Sequence, residues 1–74
     1  MKILKDKPVI VVTEFDVVYT GTVLGVITNN HKKYIKLKPS IHSEVQILFP
    51  IDEITTLILE NSEVITGEQL EQYN

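Results

Sequence analysis

The chain is 74 residues long, carries a formal charge of −3 and contains no cysteine. That length holds one domain, the missing thiols exclude disulfides and thiolate metal sites, and the acidic balance gives no global signature of nucleic-acid binding. The 43% of hydrophobic residues is rich in Val and Ile, which argues against disorder and for strands.

Met1 to Lys7 reads as a short charged lead-in that stops where Pro8 disfavours helix. The apolar stretch behind it, Val9 to Val12, is too short for a signal peptide. No apolar run approaches the ~20 residues of a membrane-spanning helix, so the expected location is the cytoplasm. From Val9 the pattern is that of a strand, with Val9, Val11 and Thr13 on one face and Ile10, Val12 and Glu14 on the other. Phe15 and Asp16 make a turn. Val17 to Thr28 then reads as one long strand whose glycines, Gly21 and Gly25, are four apart and expected on one face. Glycine inside a strand marks a bend, a bulge or a close backbone approach, which a tightly curled sheet needs.

Asn29-Asn30-His31-Lys32 is a turn signal, because Asn tolerates left-handed conformations. Lys33 to Lys38 alternates, with Ile35 and Leu37 inward and Tyr34, Lys36 and Lys38 outward. Residues 39–43 read as a loop. Glu44 to Phe49 alternates again before Pro50, and Ile51-Asp52-Glu53 is a tight connection into a last strand, Ile54 to Glu60. In that strand Leu57 and Leu59 are expected on one face and Ile54 and Ile58 on the other. Such a strand is an aggregation hazard if left exposed, and pairing it with another subunit would remove the hazard. The tail holds a short helix, about residues 66–73, with Thr66 and Gln69 at capping-box spacing and Leu70 and Tyr73 on one face.

The fold class is therefore mainly β: a small, strongly bent, five-stranded barrel over about residues 8–60, with a short C-terminal helix, in a single domain of residues 1–74. A domain this small is marginal alone. With neither disulfide nor metal to staple it, self-association is the expected support. Charge is distributed unevenly. Residues 1–43 carry seven lysines against Asp6, Glu14 and Asp16, or +4, while residues 44–74 carry seven acids and no cation, or −7. One reading is a solvated surface with chance asymmetry; the other is that opposite poles of neighbouring subunits meet.

The stretch from Pro8-Val9-Ile10-Val11 through Gly21-Thr22-Val23-Leu24-Gly25-Val26 resembles the first motif of the Sm-like family, a strand, a turn and a long bent strand with a central glycine. Ile54 and Leu57 are placed like apolar residues of that family's last strand. The resemblance spans roughly residues 8–59 and implies a bent barrel, a homo-oligomeric ring and single-stranded RNA as partner. It would match the family's RNA-contacting Asn to Asn30; with the neighbouring loop residues and the aromatic–lysine cluster, the expected nucleic-acid contacts are Asn29, Asn30, His31, Lys32 and Tyr34. Val45, Ile47, Leu57, Ile58 and Leu59 are the expected subunit interface. The chain departs from the pattern where the family has a basic residue and a glycine before the last strand: Pro50 and Ile51 stand there, followed by Asp52 and Glu53. Carboxylates at a pore would repel phosphates.

Among side chains that could carry chemistry, His31 and His42, with Glu44 nearby, lack ligand spacing, and no metal or cofactor is expected. Asp52 and Glu53 are adjacent and point apart as an acid/base pair. Nothing activates Ser40 or Ser43 as a nucleophile. No enzyme activity, small-molecule substrate or membrane partner is expected. Tyr34 among Lys32, Lys33, Lys36 and Lys38 is the most suggestive cluster, since an aromatic can stack a base while cations meet phosphates. Two readings stay open: a ring that binds single-stranded RNA, and a structural or protein-interaction module that uses the barrel for assembly alone.

Overall fold

The computed structural model describes residues 3–41 and 44–73. Its strands are β1 (Pro8–Thr13), β2 (Val18–Asn29), β3 (Lys32–Pro39), β4 (Ile47–Pro50), β5 (Ile54–Leu59) and β6 (Val64–Thr66); a 3-10 turn, Ile51–Glu53, joins β4 to β5, and helix α1 (Gly67–Leu70) follows β6. All pairings are antiparallel and form one sheet in the order β4-β3-β2-β1-β5-β6.

A straight 12-residue strand would reach about 36 Å, longer than any axis of the molecule, which measures 29 × 27 × 26 Å. β2 therefore bends, and two features of its sequence let it. At Gly21 a Cβ would run into the carbonyl oxygen of Lys38 and stand 3.0 Å from Pro39 Cα, so the strands approach there as only glycine allows. Beyond it the register slips between Val23 and Gly25: Val23 pairs with Leu37, whereas Gly25 pairs with Lys36. The extra residue, Leu24, is a β-bulge, and it inverts the inward–outward alternation for the rest of the strand. Gly21, opposite Pro39, and Val23, opposite Leu37, face the interior, and Val26 faces it beside Ile35; Gly25 lies outside with Lys36. The expectation that Gly21 and Gly25 share a face is corrected by this one inserted residue.

The bend folds the sheet over one core. Val9, Val11, Val23, Ile35, Leu37 and Leu57 are buried in a cluster that also takes Leu4, Ile65, Leu70 and Tyr73. Tyr19 of β2 and Phe49 of β4 are not on adjacent strands, yet their rings meet inside at 5.0 Å and 57°, a tilted arrangement favoured by aromatic quadrupoles. Thr13 is buried too, its hydroxyl donating to the Val17 carbonyl at 3.2 Å. Leu4 enters the core because residues 4–7 form a turn, with Asp6 at φ 67° and Lys7 N–H donating to the Leu4 carbonyl. The lead-in then prolongs the pairing of β1 with β2 through Asp6 and Lys7, which bond to both backbone groups of Val23.

Three further expectations are corrected. The sheet has six strands and is open: closing a five-stranded barrel would need the second edge of β5, and β6 occupies it. In β5 a second irregularity, opposite Val12 and Thr13, turns Ile54 into the core with Leu57, so that Ile58 is left outside. The tail helix covers residues 67–70, not 66–73. The Thr66–Gln69 capping box forms as the spacing implies, but Gln72 and Tyr73 bond back to Gln69 and Leu70 in three-residue steps that tighten the chain into a turn. Leu70 and Tyr73 are both buried, as their spacing implies.

The two glycines make opposite predictions. Gly21→Ala should destabilise the domain by about 2 kcal/mol or more, because rigid backbone blocks the added methyl. At Gly25 a Cβ meets nothing within 4 Å, so Gly25→Ala should lie within about 0.5 kcal/mol of the parent. Urea unfolding followed by circular dichroism measures both.

Candidate functional site

The β2–β3 hairpin closes through a two-residue turn in which Asn30 and His31 have φ of 53° and 64°. Positive φ at both positions matches the right-handed twist of the flanking strands. Asn29, Asn30, His31 and Lys32 are exposed at this tip, as expected of contact residues. Their neighbours change its character. Lys32 Nζ lies 3.6 Å from Asp52 Oδ2, both side chains well exposed. Lys33 Nζ donates to the carbonyl of Glu71 and, at 3.2 Å, to that of Tyr73. Thr28, His31, Lys32, Lys33, Asp52 and Glu71 thus line one shallow concavity of mixed charge. Two carboxylates stand where a phosphate would have to enter.

Tyr34 is half-buried and points away from the core, and Lys36 and Lys38 follow it on the outer face of β3. Across the sheet Tyr34 lies between Ile27 and Pro50, Lys36 between Gly25 and Leu48, and Lys38 opposite Thr22. Neither Lys36 nor Lys38 has an ion-pair partner among the described residues. The bulge at Leu24 is what brings Gly25 to this face, leaving open space beside Lys36. Of the hairpin's lysines, Lys33 is held by the tail carbonyls and Lys32 faces Asp52, whereas Lys36 and Lys38 have no ion-pair partner among the described residues.

The residues expected at a subunit interface are scattered. Val45 is exposed in the loop before β4, and Ile58 is half-buried on the outer face of β5. Ile47 and Leu59 pack against the core, and Leu57 is wholly inside it. Both edges of β5 are paired within the chain, by β1 and β6, so the hazard expected of that strand is met without a second subunit. The free edges are β4, which is four residues long and ends in Pro50, and β6, which has three residues. Short edges and edge prolines both discourage indiscriminate pairing.

His42 and Ser43 lie outside the described residues. Ser40 and Glu44 are exposed, and Asp52 faces Lys32. Among the described residues no three His, Cys, Asp or Glu side chains converge as a metal site would require, and no helix is long and apolar enough to cross a membrane.

Sequence reasoning missed a second surface. On the outer side of β2, β1, β5 and β6 the pairings align Thr20, Ile10, Ile58 and Val64 in one row. Val18, Val12, Thr56 and Thr66 form the next. Neither row carries a charge. The signal was present as the apolar second face of the first strand, but its extent depends on a strand, β6, that the local pattern around Asn61 to Thr66 does not announce. Comparison of the chain with protein-family models, with characterised proteins and with solved structures finds no match.

Lys33 generates a prediction of its own. Replacing it by Met keeps the apolar stem and removes the ammonium from the two tail carbonyls. Lys33→Met should lower stability by about 1 kcal/mol, a charged hydrogen bond discounted for partial exposure. The loss should appear as a lower urea midpoint together with faster amide exchange at Leu70 and Tyr73.

Proposed function

We propose that the domain is an Sm-like subunit that binds single-stranded RNA, with the contact along the outer face of β3 and not at the hairpin tip. The observation that carries this reading is the alternation of Tyr34, Lys36 and Lys38 on one face, next to the open position at Gly25, with neither lysine ion-paired among the described residues. A base can stack on the exposed part of the Tyr34 ring while the two ammonium groups meet successive phosphates. There is no arginine in the chain, so bidentate recognition of phosphate or guanine is absent. The contact is electrostatic and stacking in kind, weak, and tolerant of sequence. Assembly into a homo-oligomeric ring belongs to the same proposal. In its support stand two free sheet edges that differ from each other, since pairing unlike edges is heterologous and can close a ring. The proposed setting is the cytoplasm.

A second reading, an interaction module without nucleic acid, is favoured by Asp52 and Glu71 in the tip concavity and by the uncharged face of β2-β1-β5-β6.

Fluorescence anisotropy with labelled uridine-rich and adenine-rich oligoribonucleotides separates the two. Two lysine–phosphate contacts predict a log–log salt slope of about −1.4, from about −0.7 per contact on a single strand. The double variant Lys36→Gln/Lys38→Gln should abolish both binding and slope, whereas Asn30→Ala should leave them in place. Absence of binding at low salt, or binding indifferent to the double variant, contradicts the proposal.

A further inference from the structure

We infer that the concavity beyond Lys38, at the end of the β3 lysine row, receives a ribose, and that Asp6 there distinguishes RNA from DNA by accepting a hydrogen bond from the 2′-hydroxyl. The inference rests on the reading of β3 as a contact for single-stranded nucleic acid.

The lead-in places Asp6. Its N–H donates to the Val23 carbonyl at 2.7 Å, and Val23 N–H donates to the Lys7 carbonyl at 3.0 Å. Asp6 is thereby fixed beside β2 where the bulge at Leu24 begins. On the other side of β2, Lys38 stands opposite Thr22. Asp6, Thr22, Leu24, Lys38, Pro39 and Ser40 together line a concavity of about 280 Å³. Sites that bury a whole drug-sized ligand measure roughly 300–1,000 Å³, so this one takes a single part of a longer chain. Lys36 and Lys38 are two residues apart, about 6.7 Å along the strand. A nucleic-acid strand that follows them reaches the concavity next.

The polar groups around this space do not satisfy one another. Among the described residues Asp6 and Lys38 form no ion pair, and the side chains of Asp6, Thr22 and Ser40 make no hydrogen bond. The concavity at the hairpin tip also holds both signs, but there Lys32 lies 3.6 Å from Asp52. Beyond Lys38 the cation and the carboxylate border one space without meeting, which suits a ligand that offers an anion to one and a donor to the other. Lys38 takes a phosphate oxygen. An ionised carboxylate only accepts hydrogen bonds, so Asp6 repels phosphate and takes a hydroxyl. The repeating sugar–phosphate unit of RNA has one hydroxyl, the 2′-OH, and DNA lacks it. A carboxylate on a ribose 2′-hydroxyl is a known solution in dinucleotide sites. Because the contact reads the sugar and no base edge, it is compatible with binding that tolerates sequence.

Fluorescence anisotropy of the full chain with three labelled adenine-rich oligonucleotides of one sequence tests this. One is ribo, one deoxy, and one 2′-fluoro, which keeps the sugar pucker of RNA without its donor. The parent should bind the ribo form about fivefold more tightly than the other two, the worth of one charged hydrogen bond at an exposed site. In Asp6→Gly the three affinities should fall within about twofold of each other; φ of 67° at this position suits glycine, so the turn is kept. The three oligonucleotides carry the same phosphates, so the ratio is insensitive to the charge that the variant loses. Equal binding of ribo and 2′-fluoro forms by the parent overturns the inference and leaves the β3 contact standing. A ribo preference that survives in Asp6→Gly overturns it in the same way. If none of the three binds at low salt, the nucleic-acid reading itself falls and takes the inference with it.

Discussion

The whole molecule depends on one close approach, that of the β2 backbone at Gly21 to the carbonyl of Lys38 on β3. No other residue type fits there, because any Cβ would meet that oxygen. The contact lets a 12-residue strand curve within a body less than 30 Å across. From the curvature follow the meeting of Tyr19 with Phe49 and the enclosure of one core by strands that are not neighbours. In a flat sheet the same residues would leave two half-covered apolar faces.

The bulge at Leu24 has the second largest consequence. Side chains alternate with period two, so one inserted residue exchanges the faces of everything beyond it. Without it Val26 would be outside and Gly25 within. With it, Val26 joins the core and Gly25 leaves a gap in the outer surface beside Lys36. The outer surface is thereby divided. Its β2–β3–β4 part carries Tyr34, Lys36 and Lys38, while its β2-β1-β5-β6 part carries no charge along two rows of side chains.

Much of the first part was legible in the sequence. Alternation from Lys33 to Lys38 gave the right faces, the Asn29–Lys32 turn falls where its residue types require, and the Thr66–Gln69 spacing forms its capping box. The bulge was not legible, because Leu24 looks like any strand residue and its displacement is set by the register against β3. Nor was β6, whose three residues form a strand only because β5 offers an edge. The uneven charge along the chain proved a poor guide to poles. Lys32 faces Asp52, and Lys33 holds the carbonyls of the acidic tail. Residues of the basic and acidic halves of the sequence thus meet within one fold at the hairpin tip.

The division of the outer surface is tested most directly by mapping amide shifts on a nitrogen-15-labelled sample while a short single-stranded oligoribonucleotide is added at low salt. Contact along β3 should shift Gly25, Tyr34, Lys36, Lys38 and the facing residues of β4, with Ile10, Ile58 and Val64 unmoved. Shifts centred on Asn30 and His31, shifts on the uncharged rows, or a spectrum that does not change would contradict it.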